Sequence, residues 1–164
     1  MVNNFLKKNQ KKIIIFYLSL TIFIVDRLSK YLVLYLSGDG EKFYFPITSF
    51  VDINLVWNKG IAFGLFSFNR GLVYNIITSI IVVITLVVLL MAYRSSNIER
   101  IGYSMIFGGS LGNIFDRFYY NSVLDFIDLH INDIHWFIFN IADVFICLGV
   151  IILIILEFKK KQIT

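Results

Sequence analysis

The sequence is poor in cysteine, proline and charged side chains. Its 164 residues include one cysteine, one proline and 16% charged residues. A soluble domain typically carries about a quarter charged residues. A single cysteine excludes a disulfide-stapled fold, and a single proline excludes a proline-rich class. Cys147 lies in an apolar run and is expected to be a small buried residue. The 58% hydrophobic content predicts an integral membrane protein, with residues 1–164 as a single membrane-embedded domain.

Histidine is also scarce, and several reactive motifs are missing. His130 and His135 do not form His-Glu-x-x-His, and no further His or Cys residues complete a zinc set. We therefore expect no metal and no other cofactor. The sequence has no Gly-x-Ser-x-Gly motif and no phosphate-binding loop. It has no basic stripe interleaved with aromatic residues, so no nucleic-acid partner is expected. Carboxylates remain as the candidate reactive groups.

Four apolar segments are candidates for membrane-spanning helices, which need about 20 residues each. The third is short and glycine-rich, and it is kept because the second helix needs a return path. The sequence thus predicts an all-α integral membrane protein with four transmembrane helices, at about residues 13–36, 72–93, 101–118 and 136–157. Residues 37–71 are rich in aromatic and β-branched residues and are expected to form a small strand-containing outer lobe. Residues 119–135 are expected to form a second outer loop.

Basic residues are distributed unequally between the two predicted sides. Those before the first helix, after the second and after the fourth fall on one side: Lys7, Lys8, Lys11, Lys12, Arg94, Arg100, Lys159, Lys160 and Lys161. The positive-inside rule therefore predicts that both termini are cytoplasmic. The N-terminus has the basic start of a signal peptide. Its apolar run continues to Leu36 without a small-x-small cleavage site, so we expect it to remain as the first helix.

Asp143 is the most informative polar residue, because it lies in a strongly apolar segment. A carboxylate at membrane depth is costly and normally faces a protein interior or a water-filled cavity. A rise of about 1.5 Å per residue places Asp143 about 10 Å below the outer surface, inside the predicted fourth helix. The same counting places Asp26, Asn113 and Asp116 in the outer half of the membrane. The sequence therefore predicts a polar pocket that opens outward.

Helical spacing groups these polar residues further. Asn140 and Asp143 are three residues apart and share a face. Asn113, Asp116 and Arg117 stand at i, i+3 and i+4 and share another. The adjacent Asp116 and Arg117 at a helix end are interpreted as an interfacial anchor pair.

Other features of the first and third helices favour structural roles. Asp26 and Lys30 are spaced for an ion pair, which we interpret as support for the fold. Gly108 and Gly112 form a Gly-x-x-x-Gly pattern, which is typical of close helix packing, and Gly109 lies within it.

Two close carboxylates in a dry site can share one proton. The ionised member can take a proton from water, and the protonated member can donate to a carbonyl oxygen, as in aspartic peptide hydrolysis. An acidic segment upstream of Asp143 contains Asp125 and Asp128. Position and spacing alone leave both Asp116 and Asp125 open as its partner.

The order of these motifs resembles that of the lipoprotein signal peptidases, the type II signal peptidases of aspartic peptidase family A8. The resemblance covers nearly the whole chain. Its five motifs are Asp26-Arg-Leu-Ser-Lys30, Asn58-Lys-Gly60-Ile-Ala62-Phe-Gly64, Gly108-Gly-Ser-Leu-Gly112-Asn113-Ile-Phe-Asp116-Arg117, Val123-Leu-Asp125-Phe and Phe139-Asn140-Ile-Ala142-Asp143. Ser110, Ile61 and Leu124 are small departures that alter no functional group.

The resemblance implies roles for the polar residues. It selects Asp125 and Asp143 as the catalytic aspartates. It implies substrate binding or shaping of the site for a second group, Asn58, Gly109, Asn113, Arg117 and Asn140. It implies structural polar support for Asp26, Lys30 and Asp116.

The resemblance also implies a substrate and a location. The substrate would be a prolipoprotein whose cysteine carries diacylglyceryl, cleaved just before that cysteine. The enzyme would be a monomer among the lipids of the bacterial cytoplasmic membrane, with its active site facing outward. The alternative function is a small proton-coupled transporter or assembly factor that uses buried carboxylates as a relay. Such a protein would need a polar path across the membrane, whereas the sequence after Asp143 is apolar to Leu156.

Overall fold

The structure is a computed structural model that describes residues 2–38, 40–60, 71–95, 97–132 and 134–161. The described residues form four helices and four strands. In chain order these are α1 (Val2–Ser37), β1 (Tyr44–Pro46), β2 (Val51–Asn58), α2 (Leu72–Arg94), α3 (Asn97–Tyr120), β3 (Val123–Ile131), β4 (Ile134–Phe139) and α4 (Ile141–Lys161). The four predicted helices are confirmed as helices. The all-α class is wrong, because a four-stranded sheet is part of the fold.

Two of the described helices, α2 and α4, are long and apolar enough to cross a membrane. Many of their large apolar side chains are exposed, including Val83, Leu90 and Ile151. An extensive exposed apolar surface of this kind fits contact with lipid. The helices α1 and α3 instead bury charged residues, among them Asp26 and Asp116.

The sheet has the strand order β1-β2-β3-β4, and each neighbouring pair is antiparallel. Strands β1 and β2 lie in the predicted outer lobe, so its strand content is confirmed, although residues 61–70 fall outside the described residues. Cross-strand partners Asn58 and Val123 close one end of the β2–β3 ladder. This register brings the end of β2 beside the part of β3 that carries Asp125.

The second outer segment and the start of the fourth helix differ from the prediction. Residues 123–131 and 134–139 form the hairpin of β3 and β4, and α4 begins at Ile141 rather than near Trp136. The residues from Trp136 to Phe139 are aromatic or β-branched, and such residues are enriched in strands. Hydropathy alone cannot separate such a strand from the first turn of an apolar helix.

A small core joins the sheet to the helices. Val33 of α1 packs with Leu55 of β2 and with Leu124 and Phe126 of β3, and all four side chains are buried. Since Leu124 and Phe126 flank Asp125, this core fixes the position of that aspartate on the strand.

Helix α3 packs against the other three helices. A Cβ atom on Gly108 would lie 2.8 Å from the Cα atom of Ser19 on α1. A Cβ atom on Gly109 would lie 2.5 Å from the carbonyl oxygen of Ala142 on α4. Both approaches are closer than a side chain permits, so the packing interpretation of this glycine-rich stretch is confirmed.

Candidate active site

Asp143 lies in the first turn of α4. The Asn140 side-chain Oδ1 accepts the Asp143 backbone N–H at 3.0 Å, and Asp143 Oδ2 accepts the Asn140 backbone N–H at 3.2 Å. This reciprocal pair is a capping box, which starts a helix by satisfying its free N–H groups. Asp143 therefore lies in the fourth helix, as predicted, but in its first turn rather than in the helix interior, and the depth counted from Trp136 does not hold.

Asp125 lies on β3 and is 3% exposed. Its Oδ1 accepts the Asn140 side-chain Nδ2–H at 2.6 Å, and its Oδ2 accepts the Asn58 Nδ2–H at 2.9 Å. Burial, followed by the nearby charge of Asp143, raises the pKa of Asp125 to about 7, and the amide donors oppose this rise.

Asn113 links the two aspartates from α3. Its Nδ2 donates to Asp143 Oδ1 at 2.8 Å, and its Oδ1 accepts the Asn140 Nδ2–H at 3.1 Å. Asn140 in turn contacts Asp125. Two asparagines therefore connect the two carboxylates in one hydrogen-bonded chain, and Asp125 rather than Asp116 stands beside Asp143.

Asp116 belongs to a separate buried cluster of charges. It is 0% exposed and contacts Arg27 Nη1 at 2.5 Å and Lys30 Nζ at 2.7 Å. Asp26 is also 0% exposed and contacts Arg27 Nη2 at 2.7 Å and Lys30 Nζ at 3.1 Å. The predicted Asp26–Lys30 pair is confirmed. Sequence reasoning missed Arg27 as a member, although its place beside Asp26 on an apolar helix was a signal.

Arg117 is buried and bonds to a part of the chain that Asp116 does not contact. Its Nη2 donates to the carbonyl oxygen of Gly60 at 2.5 Å, and its guanidinium carbon lies 5.4 Å from the ring centroid of Tyr74. The Asn58 Oδ1 accepts the Gly60 backbone N–H at 2.9 Å. Two site residues thus fix the backbone at Gly60, and the interpretation of Asp116 and Arg117 as an interfacial anchor pair is wrong.

A cavity of about 550 Å³ adjoins these residues. Its polar end contains the two aspartates and three of the predicted site residues, Asn58, Asn113, Arg117, Asp125 and Asp143. Apolar side chains of β4 and α4 form the rest of its wall, among them Phe139, Val144 and Leu148. Cys147 is exposed and also lines this cavity, so the expectation that it is buried is wrong. Gly109 is outside the set of residues that line this cavity and lies against the Ala142 carbonyl oxygen of α4.

A second polar group on the sheet was missed by sequence reasoning. The His130 Nε2 lies 3.0 Å from Asp52 Oδ2, and the His135 Nδ1 lies 2.9 Å from Asp128 Oδ2. Cross-strand pairing of Asp52 with Asp128 and of His130 with His135 brings the four together. No set of His, Cys, Asp and Glu side chains in the described part of the chain is arranged to hold a metal ion.

Buried carboxylates linked by amides beside an apolar cavity define a candidate acid–base site in a membrane enzyme. The chain belongs to the signal peptidase (SPase) II family, whose model matches residues 18–159. It is an aspartic peptidase, as predicted, and the alternative of a transporter or assembly factor is not supported.

Named relatives and solved structures agree with this membership. The chain is 45% identical to the lipoprotein signal peptidase of Pelagibacter ubique over 90% of this chain and 92% of that protein. It is 39% identical to the lipoprotein signal peptidase of Thermodesulfovibrio yellowstonii over 85% and 90%. A bacterial membrane enzyme solved by the in meso method at 2.3 Å has a TM-score of 0.76 and 28% identity, covering 90% of this chain and 88% of that one.

Proposed function

We propose that this protein removes signal peptides from diacylglyceryl-modified prolipoproteins by cleaving the bond before the lipidated cysteine. The observation that carries the proposal is the pair of carboxylates, Asp125 and Asp143, at the polar end of a largely apolar cavity. A peptide bond can lie against the polar end while acyl chains contact the apolar wall. Lipoprotein signal peptidases are the named relatives of this chain.

The two aspartates act as the catalytic dyad in this proposal. Asp125 is the proposed proton donor, because it lies on a strand whereas Asp143 lies at a helix N-terminus, and because burial and the charge of Asp143 raise the pKa of Asp125 to about 7. Asp143, at the positive N-terminal end of α4, is the base that takes a proton from the attacking water. Asp125 donates its proton to the scissile carbonyl oxygen as the tetrahedral intermediate forms.

Collapse of the intermediate completes the proton balance. The carbonyl re-forms and returns its proton to Asp125, while Asp143 gives the proton taken from water to the leaving amide nitrogen. Asn58, Asn113 and Asn140 hold the two carboxylates in position, and Arg117 holds the backbone at Gly60 beside them.

The proposed topology has four membrane spans, cytoplasmic termini and an active site on the outer side. The sheet follows the C-terminal end of α1 and precedes α4, so it lies at the end of the helices opposite Lys159–Lys161. The ion pair between Lys160 and Glu99 joins the end of α4 to the start of α3. The flanking basic residues Arg94, Arg100 and Lys159–Lys161 thus lie at the end of the helices opposite the site, which is the arrangement that the positive-inside rule predicts for an outward site.

The proposed partners are prolipoprotein substrates and the surrounding membrane lipids, with no second subunit. A single chain supplies both aspartates and the amides that hold them, so a monomer contains the complete candidate site.

The test uses a synthetic diacylglyceryl prolipopeptide and purified protein in lipid nanodiscs. We expect Asp125→Asn and Asp143→Asn each to reduce cleavage by at least about 10³-fold while the protein still accumulates. The matched control is Asp128→Asn, which makes the same chemical change on the same strand outside the cavity, and its rate should stay within about threefold of wild type. Cleavage near the wild-type rate in either dyad variant would contradict the proposal.

A further inference from the structure

Two buried carboxylates outside the proposed dyad bond to the backbone directly before it. Asp116 Oδ2 accepts the Leu124 backbone N–H at 3.2 Å, and Leu124 precedes Asp125 in the chain. Asp26 Oδ1 accepts the Ala142 backbone N–H at 3.0 Å, and Ala142 precedes Asp143. Each dyad residue therefore follows a backbone position that is held by a buried carboxylate.

The two carboxylates are connected to each other by a shared cation. The Lys30 Nζ contacts Asp26 Oδ2 at 3.1 Å and Asp116 Oδ2 at 2.7 Å, and Lys30 is 2% exposed. The same Nζ donates to Asn113 Oδ1 at 3.1 Å, and Asn113 donates to Asp143 Oδ1 at 2.8 Å. The cluster thus bonds to the backbone before each dyad residue and, through the Asn113 side chain, is linked to the Asp143 carboxylate.

We propose that Asp26 and Asp116 are positioning residues that set the separation and orientation of the Asp125 and Asp143 carboxylates. This inference rests on the proposed dyad and adds a function to residues that the sequence assigned to structural support. Catalysis by positioned groups is sensitive to distance, since a misplacement of about 1 Å can reduce the rate by about 10²-fold. Both acceptors contact segments next to the reacting groups, which a purely helix-packing role does not require.

Stability alone is a weak reason for this arrangement. A buried ion pair loses much of its attraction to the desolvation of its charges, and well-packed apolar residues often serve equally well. The cluster contains two buried carboxylates, Asp26 and Asp116, and two cations that balance their charge, Arg27 and Lys30. The two carboxylates also accept the backbone N–H groups of Leu124 and Ala142. The cluster therefore fixes two specific backbone positions beside the dyad.

Asp26→Asn and Asp116→Asn are the first test variants. Each aspartate offers its oxygens to both cations and a backbone N–H, whereas an amide has a single oxygen and cannot serve both sides. We expect kcat for the prolipopeptide to fall about 10- to 100-fold with KM within about threefold of wild type. We also expect the two limbs of the pH–rate profile to change their separation, because coupling between two carboxylates depends on their distance.

Gly112→Ala provides a second route that leaves all four charges in place. A Cβ atom at Gly112 would lie 2.5 Å from Asp26 Oδ2, so the carboxylate must move. The same loss of kcat and change in pH profile are expected. Ser19→Ala is the control, because the Ser19 hydroxyl makes a buried α1–α3 contact to the Ser104 carbonyl oxygen at 3.0 Å, away from the dyad. It should lower thermal stability without altering the pH profile.

The outcomes separate this inference from the dyad assignment. Active Asp125→Asn or Asp143→Asn protein would overturn the dyad itself. Inactive dyad variants together with wild-type kcat and pH profile in Asp26→Asn, Asp116→Asn and Gly112→Ala would overturn only the positioning role. If none of these three variants accumulated, the cluster would be a determinant of folding, and the positioning role would likewise be overturned.

Discussion

Asn140 donates its side-chain Nδ2–H to Asp125 Oδ1 at 2.6 Å. The backbone N–H of the same asparagine donates to Asp143 Oδ2 at 3.2 Å, and its Oδ1 caps the first turn of α4. One buried residue therefore starts the helix that carries one aspartate and holds the carboxylate of the other. The Asn140 contacts that cap α4 therefore also set the geometry of the candidate site.

Two substitutions at Asn140 separate these roles. Asn140→Ala should reduce kcat about 10²-fold, because Asp125 and Asp143 each lose a contact that fixes them. It should also cost about 1 kcal/mol of unfolding free energy through the lost cap. Asn140→Ser retains a capping oxygen but lacks the amide donor to Asp125. We expect it to recover thermal stability without recovering kcat, and recovery of both would show that capping alone accounts for the effect.

The organisation of the site was only partly predictable from the sequence. The apolar run from Leu72 gives α2 nearly its full length, because an uninterrupted apolar segment has a single satisfactory structure in lipid. Hydropathy places the start of α4 near residue 136, before its true start at Ile141, because the apolar run continues on both sides of Asn140. The spacing of Asn140 and Asp143 matched a capping box and was the local signal that could have corrected it.

Contacts between segments that are far apart in the chain could not be predicted from the sequence. The bond from the Ala142 N–H to Asp26 joins residues 116 positions apart, and no periodicity in either segment encodes it. Spacing alone also leaves both Asp116 and Asp125 open as the partner of Asp143. Their difference arises from the pairing of β3 with β2, which places Asp125 beside Asn58, while Asp116 is occupied by Lys30 and Arg27.

The raised pKa of Asp125 predicts how stability changes with pH. In the unfolded chain this carboxyl loses its proton near its ordinary pKa of 3.8, whereas the folded protein retains it until about pH 7. The folded state therefore binds more protons between these values, and its stability falls as pH rises through this window. Asp125→Asn removes this ionisation. The melting temperature of the variant relative to wild type should rise from about pH 4 to about pH 8, and a difference that stays constant would contradict this account.

The polar group on the sheet, which contains Asp52, Asp128, His130 and His135, predicts the opposite dependence of stability on pH. The hydroxyl of Tyr44 donates to Asp52 Oδ2 at 2.7 Å, and this bond is the main cause that holds the pKa of Asp52 below 3.8, opposed by desolvation and aided by His130. A lowered folded-state pKa contributes stability above pH 3.8 that is lost as pH falls through the folded value. Tyr44→Phe should lower the melting temperature by a few degrees at neutral pH, and the difference should shrink in acid. Tyr17→Phe, at an exposed position on α1, is the control for loss of a tyrosine hydroxyl.

The last prediction concerns Gly109, which lies where α3 contacts the first turn of α4. A Cβ atom there would lie 2.5 Å from the Ala142 carbonyl oxygen and 2.9 Å from Ile146 Cγ1. The backbone oxygen cannot rotate away, so Gly109→Ala must displace the start of α4 and with it Asp143. We expect a loss of about 1–3 kcal/mol in unfolding free energy and a fall of at least about 10-fold in kcat.

The matched control for this change is Gly102→Ala on the same helix pair. Its Cβ atom would meet Leu153 Cγ at 3.0 Å and the Gly149 carbonyl oxygen at 3.1 Å, toward the other end of α4 from Asp143. It also crowds the α3–α4 contact, but the adjustment occurs where no proposed reacting group lies. Thermal melting should therefore respond to both substitutions, whereas kcat per folded molecule should respond to Gly109→Ala alone. Equal losses of kcat in the two variants would mean that general helix packing, rather than the placement of Asp143, explains the need for glycine at position 109.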